Sequence, residues 1–143
     1  MNSLRRLAQT HGVSMVGLTP TVQRVEGYPY GECVRASYAS LLDLPIELVP
    51  RLDPGALAPG EAQGDRERNW LALLGLDLIE MSPAEAATLP PAALARPHLV
   101  SGVSPRGLGH RCVGLHGRVL WDPHPSRAGL TKVTSVGVLV PQC

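Results

Sequence analysis

The chain has 143 residues, 44% hydrophobic and 17% charged, with a formal net charge of +1. That balance suits one globular domain with a real core and excludes a disordered chain; the near-neutral charge leaves no electrostatic footprint for nucleic acid or anionic lipid. No apolar run approaches the roughly 20 residues of a membrane span, and the three cysteines (Cys33, Cys112, Cys143) are too few and too scattered for a disulfide framework.

A soluble, cytoplasmic protein is the expectation. Met1–Arg6 carries two arginines, but His11, Gly12 and Ser14 interrupt the apolar segment that a signal peptide needs. With no Phe, the core must be Leu, Val and Ala; 15 Gly and 14 Pro imply many tight connections and argue for a mixed α+β domain over a long helical bundle.

Residues 1–19 form an arm of unassigned structure: Leu4, Leu7 and Ala8 have helical spacing, while Val13, Met15 and Gly17 alternate like a short strand. The domain proper is 20–143. Thr19–Tyr30 holds Pro20, Gly27 and Pro29 and reads as a loop. From Glu32 to Leu42, Val34, Tyr38, Leu41 and Leu42 share one face at helical spacing, Glu32 complements the dipole, and Asp43 with Pro45 ends the helix.

A short helical turn fits Pro45–Val49, and Arg51–Gly64 reads as a Pro/Gly-rich insertion or lid. Asp65–Gly75 predicts a second helix with Trp70, Leu73 and Leu74 facing the core and Gly75 at its end. Leu76–Met81 alternates as a strand. Ser82-Pro83-Ala84-Glu85 has the form of a helix start, with Ser82 as cap, Pro83 at the first position and Glu85 at the third. The β-branched runs His98–Val103, Arg111–His116, Val119–Trp121 and Thr134–Val140 then predict an antiparallel sheet, with a tight turn at His116-Gly117-Arg118.

Cys33 stands between a Pro/Gly-rich turn and the first turn of the first helix. The helix dipole and unpaired backbone N–H groups there favour the thiolate, the nucleophilic form. A nucleophilic cysteine needs an imidazole to take its proton and a third group to orient that imidazole. His110, at the head of a strand, is the candidate base, with its ring exposed at a sheet edge. Asp122, in Trp121-Asp122-Pro123, is the candidate orienter. A turn centred on residue 116 would pair 110 directly with 122 across the hairpin.

A helix-starting Cys, a His at a strand start and an Asp-Pro one hairpin later resembles the chain order of papain-like cysteine peptidases. The compact form looks most like the leader-peptide-cleaving peptidases of bacterial peptide exporters. The resemblance covers roughly residues 20–140 and implies a papain-like fold with N-terminal helices on a C-terminal antiparallel sheet. It also implies a Cys33/His110/Asp122 triad acting on a peptide or amide through a thioester acyl-enzyme, with no cofactor. Family members carry a Gln just before the nucleophile as an oxyanion donor. Gln23 is the upstream Gln here; it stands farther from Cys33 than that spacing, and fits only if the Gly27–Tyr30 loop bulges. Release to water makes a hydrolase and release to an amine an acyltransferase; an inactive peptide-binding or partner-binding member is the third possibility.

Of the remaining residues, His124 reads as a solvated loop histidine or a second-choice base. Cys112 shares a strand face with His110, yet a Cys33/His110/Cys112 zinc cluster matches no common zinc spacing, and no metal is expected. Trp70 and Trp121 read as core, the latter as a shield for the His–Asp pair. Arg106 and Arg127 read as solvated, His11 and His98 have no assigned role, and Cys143 reads as exposed.

Overall fold

The computed structural model of the protein describes residues 18–142. The expectations for Leu4 to Gly17, for His11 and for Cys143 lie outside those residues.

The first helix among the described residues, α1 (Cys33–Leu42), is buried almost all round, since every residue from Ala36 to Leu42 is shielded from solvent. Tyr38, Leu41 and Leu42 are fully buried, worth about 1.5–3 kcal/mol each by transfer from water. Its two inner serines let neighbours approach closely and still satisfy their hydroxyls. Ser37 Oγ donates to Arg111 O (3.2 Å), and Ser40 Oγ donates to Ala36 O (2.8 Å) while accepting from Thr21 N (2.9 Å). Asp43 ends the helix in the left-handed region (φ 54°), before Pro45, and Ile46–Leu48 forms the short turn.

The stretch expected as a lid is pinned. Leu52 is fully buried, Arg51 clasps Asp53 at 2.6 Å, and Gly55 N donates to Pro29 O at 3.0 Å. A Cβ on Gly55 would lie 2.5 Å from the Tyr30 ring, so glycine is what lets that ring lie against the turn. Helix α2 (Gln63–Leu73) starts two residues before the expected Asp65. Its inner stripe is Glu67, Trp70 and Leu71, continued by Leu74, while Leu73 is exposed, against expectation. The i, i+3, i+4, i+7 pattern is regular, but a carboxylate occupies its first position.

Strand β1 (Leu76–Met81) leads into α3 (Pro83–Ala87), whose capping box is complete: Ser82 Oγ accepts from Glu85 N and Glu85 Oε1 accepts from Ser82 N, both at 3.1 Å. The short 3-10 turn Pro91–Leu94 was not expected. Strands β2 (His98–Val103), β3 (Gly109–Leu115), β4 (Arg118–Trp121) and β5 (Lys132–Pro141) complete an antiparallel five-stranded sheet in the order β1-β5-β2-β3-β4. One face packs Leu99, Val113 and Leu139 against α1 and α2; Val100, Cys112 and Val136 pack with Ala86 of α3.

The β3–β4 turn contains two residues, His116 (φ 53°) and Gly117 (φ 74°), both left-handed as a type I′ hairpin requires. His98 secures it: one ring nitrogen meets Arg96 O (2.8 Å) and the other accepts from Gly117 N (3.2 Å). The expected direct pairing of 110 with 122 is not made. Leu115 pairs with Arg118, a bulge falls between Val113 and Gly114, and His110 pairs with Gly102 of β2, which leaves Asp122 just past the end of β4. Among the described residues, no helix is long and apolar enough to cross a membrane.

Candidate active site

Cys33 is the first residue of α1, half-buried, with a free thiol. The chain reaches it through a loop closed at its base by Gly31 N to Gly27 O (2.6 Å) and Glu32 N to Val25 O (3.0 Å). Glu32 does not cap the helix with its side chain. Its buried carboxylate accepts from Arg24 Nη2 (2.8 Å) and Arg35 Nη1 (3.1 Å), which fixes the approach to the thiol. Burial pushes the Cys33 thiol up; hydrogen bonds from the backbones of Arg111 and Val34 and the charge of Arg111 oppose this without overcoming it. Cys33 therefore does not rest as the thiolate expected at a helix start: burial holds it as a thiol that needs a base.

His110 lies within β3 and is 7% exposed, so it is not at an open sheet edge as expected. Its Nε2 is 2.6 Å from Asp122 Oδ1. Although the two residues do not pair across the hairpin, the bulge and the end of β4 bring them into direct contact. Asp122 is a saturated acceptor: Oδ1 also takes His124 N (2.9 Å), and Oδ2 takes Gly129 N (2.7 Å). Burial pushes the carboxyl up, but these bonds prevail and hold it below the usual range. Burial pulls the His110 pKa down, and the contact with Asp122 offsets this in part. The pair rests as neutral imidazole beside carboxylate.

That cleft, about 530 Å³, is lined by both Cys33 and His110, together with Gln23, Tyr28, Leu108 and Arg111. Gln23 is held at the cleft by its backbone N, which donates to Pro123 O (3.0 Å), beside Asp122. Its Nε2 donates one hydrogen to Val25 O (2.8 Å), and its buried Oε1 has no partner among the described residues. His124 is buried, contrary to the solvated reading. Its Nε2 meets Glu26 Oε1 (2.6 Å), its Nδ1 meets Ser126 Oγ (2.8 Å), and its ring stands 6.0 Å from that of His110. Arg106 also lines the cleft and donates to Ser126 Oγ (3.1 Å), whereas Arg127 stacks on Trp121 at 4.2 Å. Trp121 is anchored through its Nε1 to Thr21 O at 2.9 Å.

A buried ionic group beside Cys33 was missed. Arg111 Nη1 contacts Glu67 Oε1, Arg111 Nε donates to Ser101 Oγ (3.0 Å), and Tyr38 O–H donates to Glu67 Oε1 (2.7 Å). The one available signal was Glu67 at an apolar stripe position. Cys112 is fully buried near the pair, and burial, reinforced by the charge of Asp122, pushes its thiol up. Against models of protein families, curated proteins and solved structures, the chain finds no match.

Proposed function

We propose that the protein is a cysteine-nucleophile hydrolase, a peptidase or amidase, on a papain-like form of this α+β fold. Cys33 is the nucleophile, His110 the base and Asp122 the orienting group. The observation that carries the reading is the 2.6 Å His110–Asp122 contact on a ring that opens into the cleft lined by Cys33. In the reaction, His110 Nδ1 takes the Cys33 proton as sulfur attacks the carbonyl carbon, and Asp122 stabilises the imidazolium. The second N–H of Gln23 Nε2 and the orphan N–H of Cys33 receive the oxyanion. The imidazolium then protonates the leaving amine, and water, deprotonated by His110, hydrolyses the thioester. Release to an amine instead would make the same acyl-enzyme an acyltransferase.

The substrate is a peptide or amide, and the likeness to compact bacterial leader-peptide peptidases belongs to this proposal, as does a cytoplasmic, reducing setting for the free thiols. A second reading, a peptide-binding member without turnover, is favoured by one observation: burial raises the Cys33 pKa. Intact-mass detection of acyl adducts with a panel of peptide and acyl electrophiles separates the two. An adduct mapped to Cys33 that His110→Ala slows supports the hydrolase; a panel that leaves Cys33 unmodified refutes it.

A further inference from the structure

Beside its place in the cleft, His110 belongs to a second group of donors, with Cys112 and Asp122. His110, Cys112 and Asp122 are 7%, 0% and 4% exposed, and one donor atom from each lies within 4.8 Å of the others. The donors are an imidazole nitrogen, a sulfur and a carboxylate oxygen, the set that a borderline-soft dication prefers. This is not the Cys33/His110/Cys112 combination considered from sequence; strand alternation puts residues 110 and 112 on one face of β3, and Asp122 closes the group from beyond β4.

We propose that His110, Cys112 and Asp122 form a zinc-class metal site whose occupation switches off His110 as a base. Zinc bonds of about 2.0–2.3 Å space tetrahedral donors roughly 3.3–3.7 Å apart. The group therefore closes by about 1 Å at its widest, while the His110–Asp122 contact opens by a similar amount. Charge favours binding. The buried set carries one negative charge on Asp122; a dication with carboxylate and thiolate is neutral, a better state for a site of low dielectric.

The protons balance as follows. Cys112 releases its S–H proton to solvent as the metal–sulfur bond forms. The metal takes the Nε2 lone pair, so the ring proton that faced Asp122 moves to Nδ1. Water from the cleft completes the coordination. An Nδ1 that already carries a proton cannot accept one from Cys33, so metal binding and base function exclude each other. That last consequence rests on the hydrolase reading; the metal site does not.

The test is titration of the metal-free full-length protein with cobalt(II), in a thiol-free reductant, followed by the thiolate-to-cobalt charge-transfer band. Wild type and Cys33→Ser are expected to saturate with one cobalt each. Cys112→Ala, checked for fold by circular dichroism, is expected to lose the band, and Asp122→Asn, which keeps the thiol, to bind at least tenfold more weakly. No band in wild type, or a band lost in Cys33→Ser and kept in Cys112→Ala, overturns the site. Zinc is further expected to slow iodoacetamide labelling of Cys33 in wild type, reversibly with EDTA, and not in Cys112→Ala. A bound metal that leaves labelling unchanged overturns the switch. A cobalt band in a protein whose Cys33 rate ignores His110→Ala would sink the hydrolase reading and keep the metal site.

Discussion

Replacing Asp122 by Asn isolates the orienting carboxylate from its surroundings. In the native site both oxygens only accept: Oδ1 from His110 Nε2 and His124 N, Oδ2 from Gly129 N. An Asn oxygen keeps the two bonds at Oδ1, and its NH2 group then confronts the N–H of Gly129. One buried donor is left unpaired, a cost of about 1–3 kcal/mol in stability. The larger effect is electrostatic. The Asp122 charge raises the His110 pKa against the pull of burial, so its loss should leave His110 titrating lower than in wild type. Histidine-resolved NMR titration, with the His110 signal assigned by comparison with His110→Gln, reads this directly. A His110 that titrates at the same pH in Asp122→Asn and wild type would refute the orienting role.

Acid should weaken the fold. Burial holds the pKa values of His110 and His98 down, so near pH 6.5 the unfolded chain binds protons that the folded protein does not, and stability falls as pH drops below about 6.5. Asp122, held below the usual carboxylate range, adds a further loss as pH falls through its own titration. Urea midpoints that rise from pH 7 to pH 5 would contradict this. Glu67→Gln leaves the Arg111 charge buried without its counter-ion, and should cost about 3–5 kcal/mol in urea unfolding; Arg111→Met in the same chain should recover much of it. Gln23→Ala should cut Cys33 acylation by about 10²–10³ while the urea midpoint moves little, since the backbone bond to Pro123 is kept; an unchanged acylation rate would remove Gln23 from the oxyanion site.

The elements most legible in the sequence are those with local causes. Ser82-Pro83-Ala84-Glu85 carries its own cap, and β1 carries its own alternation. The α1 stripe was readable because its apolar residues keep helical spacing up to the left-handed Asp43. What escaped depends on residues distant in the chain. Glu67 disguised the inner face of α2, because its partners Tyr38 and Arg111 come from α1 and β3. Burial decides the sign of the Cys33 pKa shift, and it comes from packing that the residues at the helix start do not reveal. His110 and Asp122 do meet, though by a bulge at Val113/Gly114 that no simple count across the hairpin anticipates. Gln23 enters the cleft by its bond to Pro123, a contact invisible to spacing along the chain.

The most direct measurement is the rate constant for iodoacetamide labelling of Cys33 across pH, resolved from Cys112 and Cys143 by peptide mass mapping. In wild type the rate should follow a group titrating at or below the usual histidine range, and His110→Ala should abolish that dependence and slow labelling near neutral pH. A Cys33 that labels no faster than Cys143, with a rate indifferent to His110, would contradict its assignment as the nucleophile.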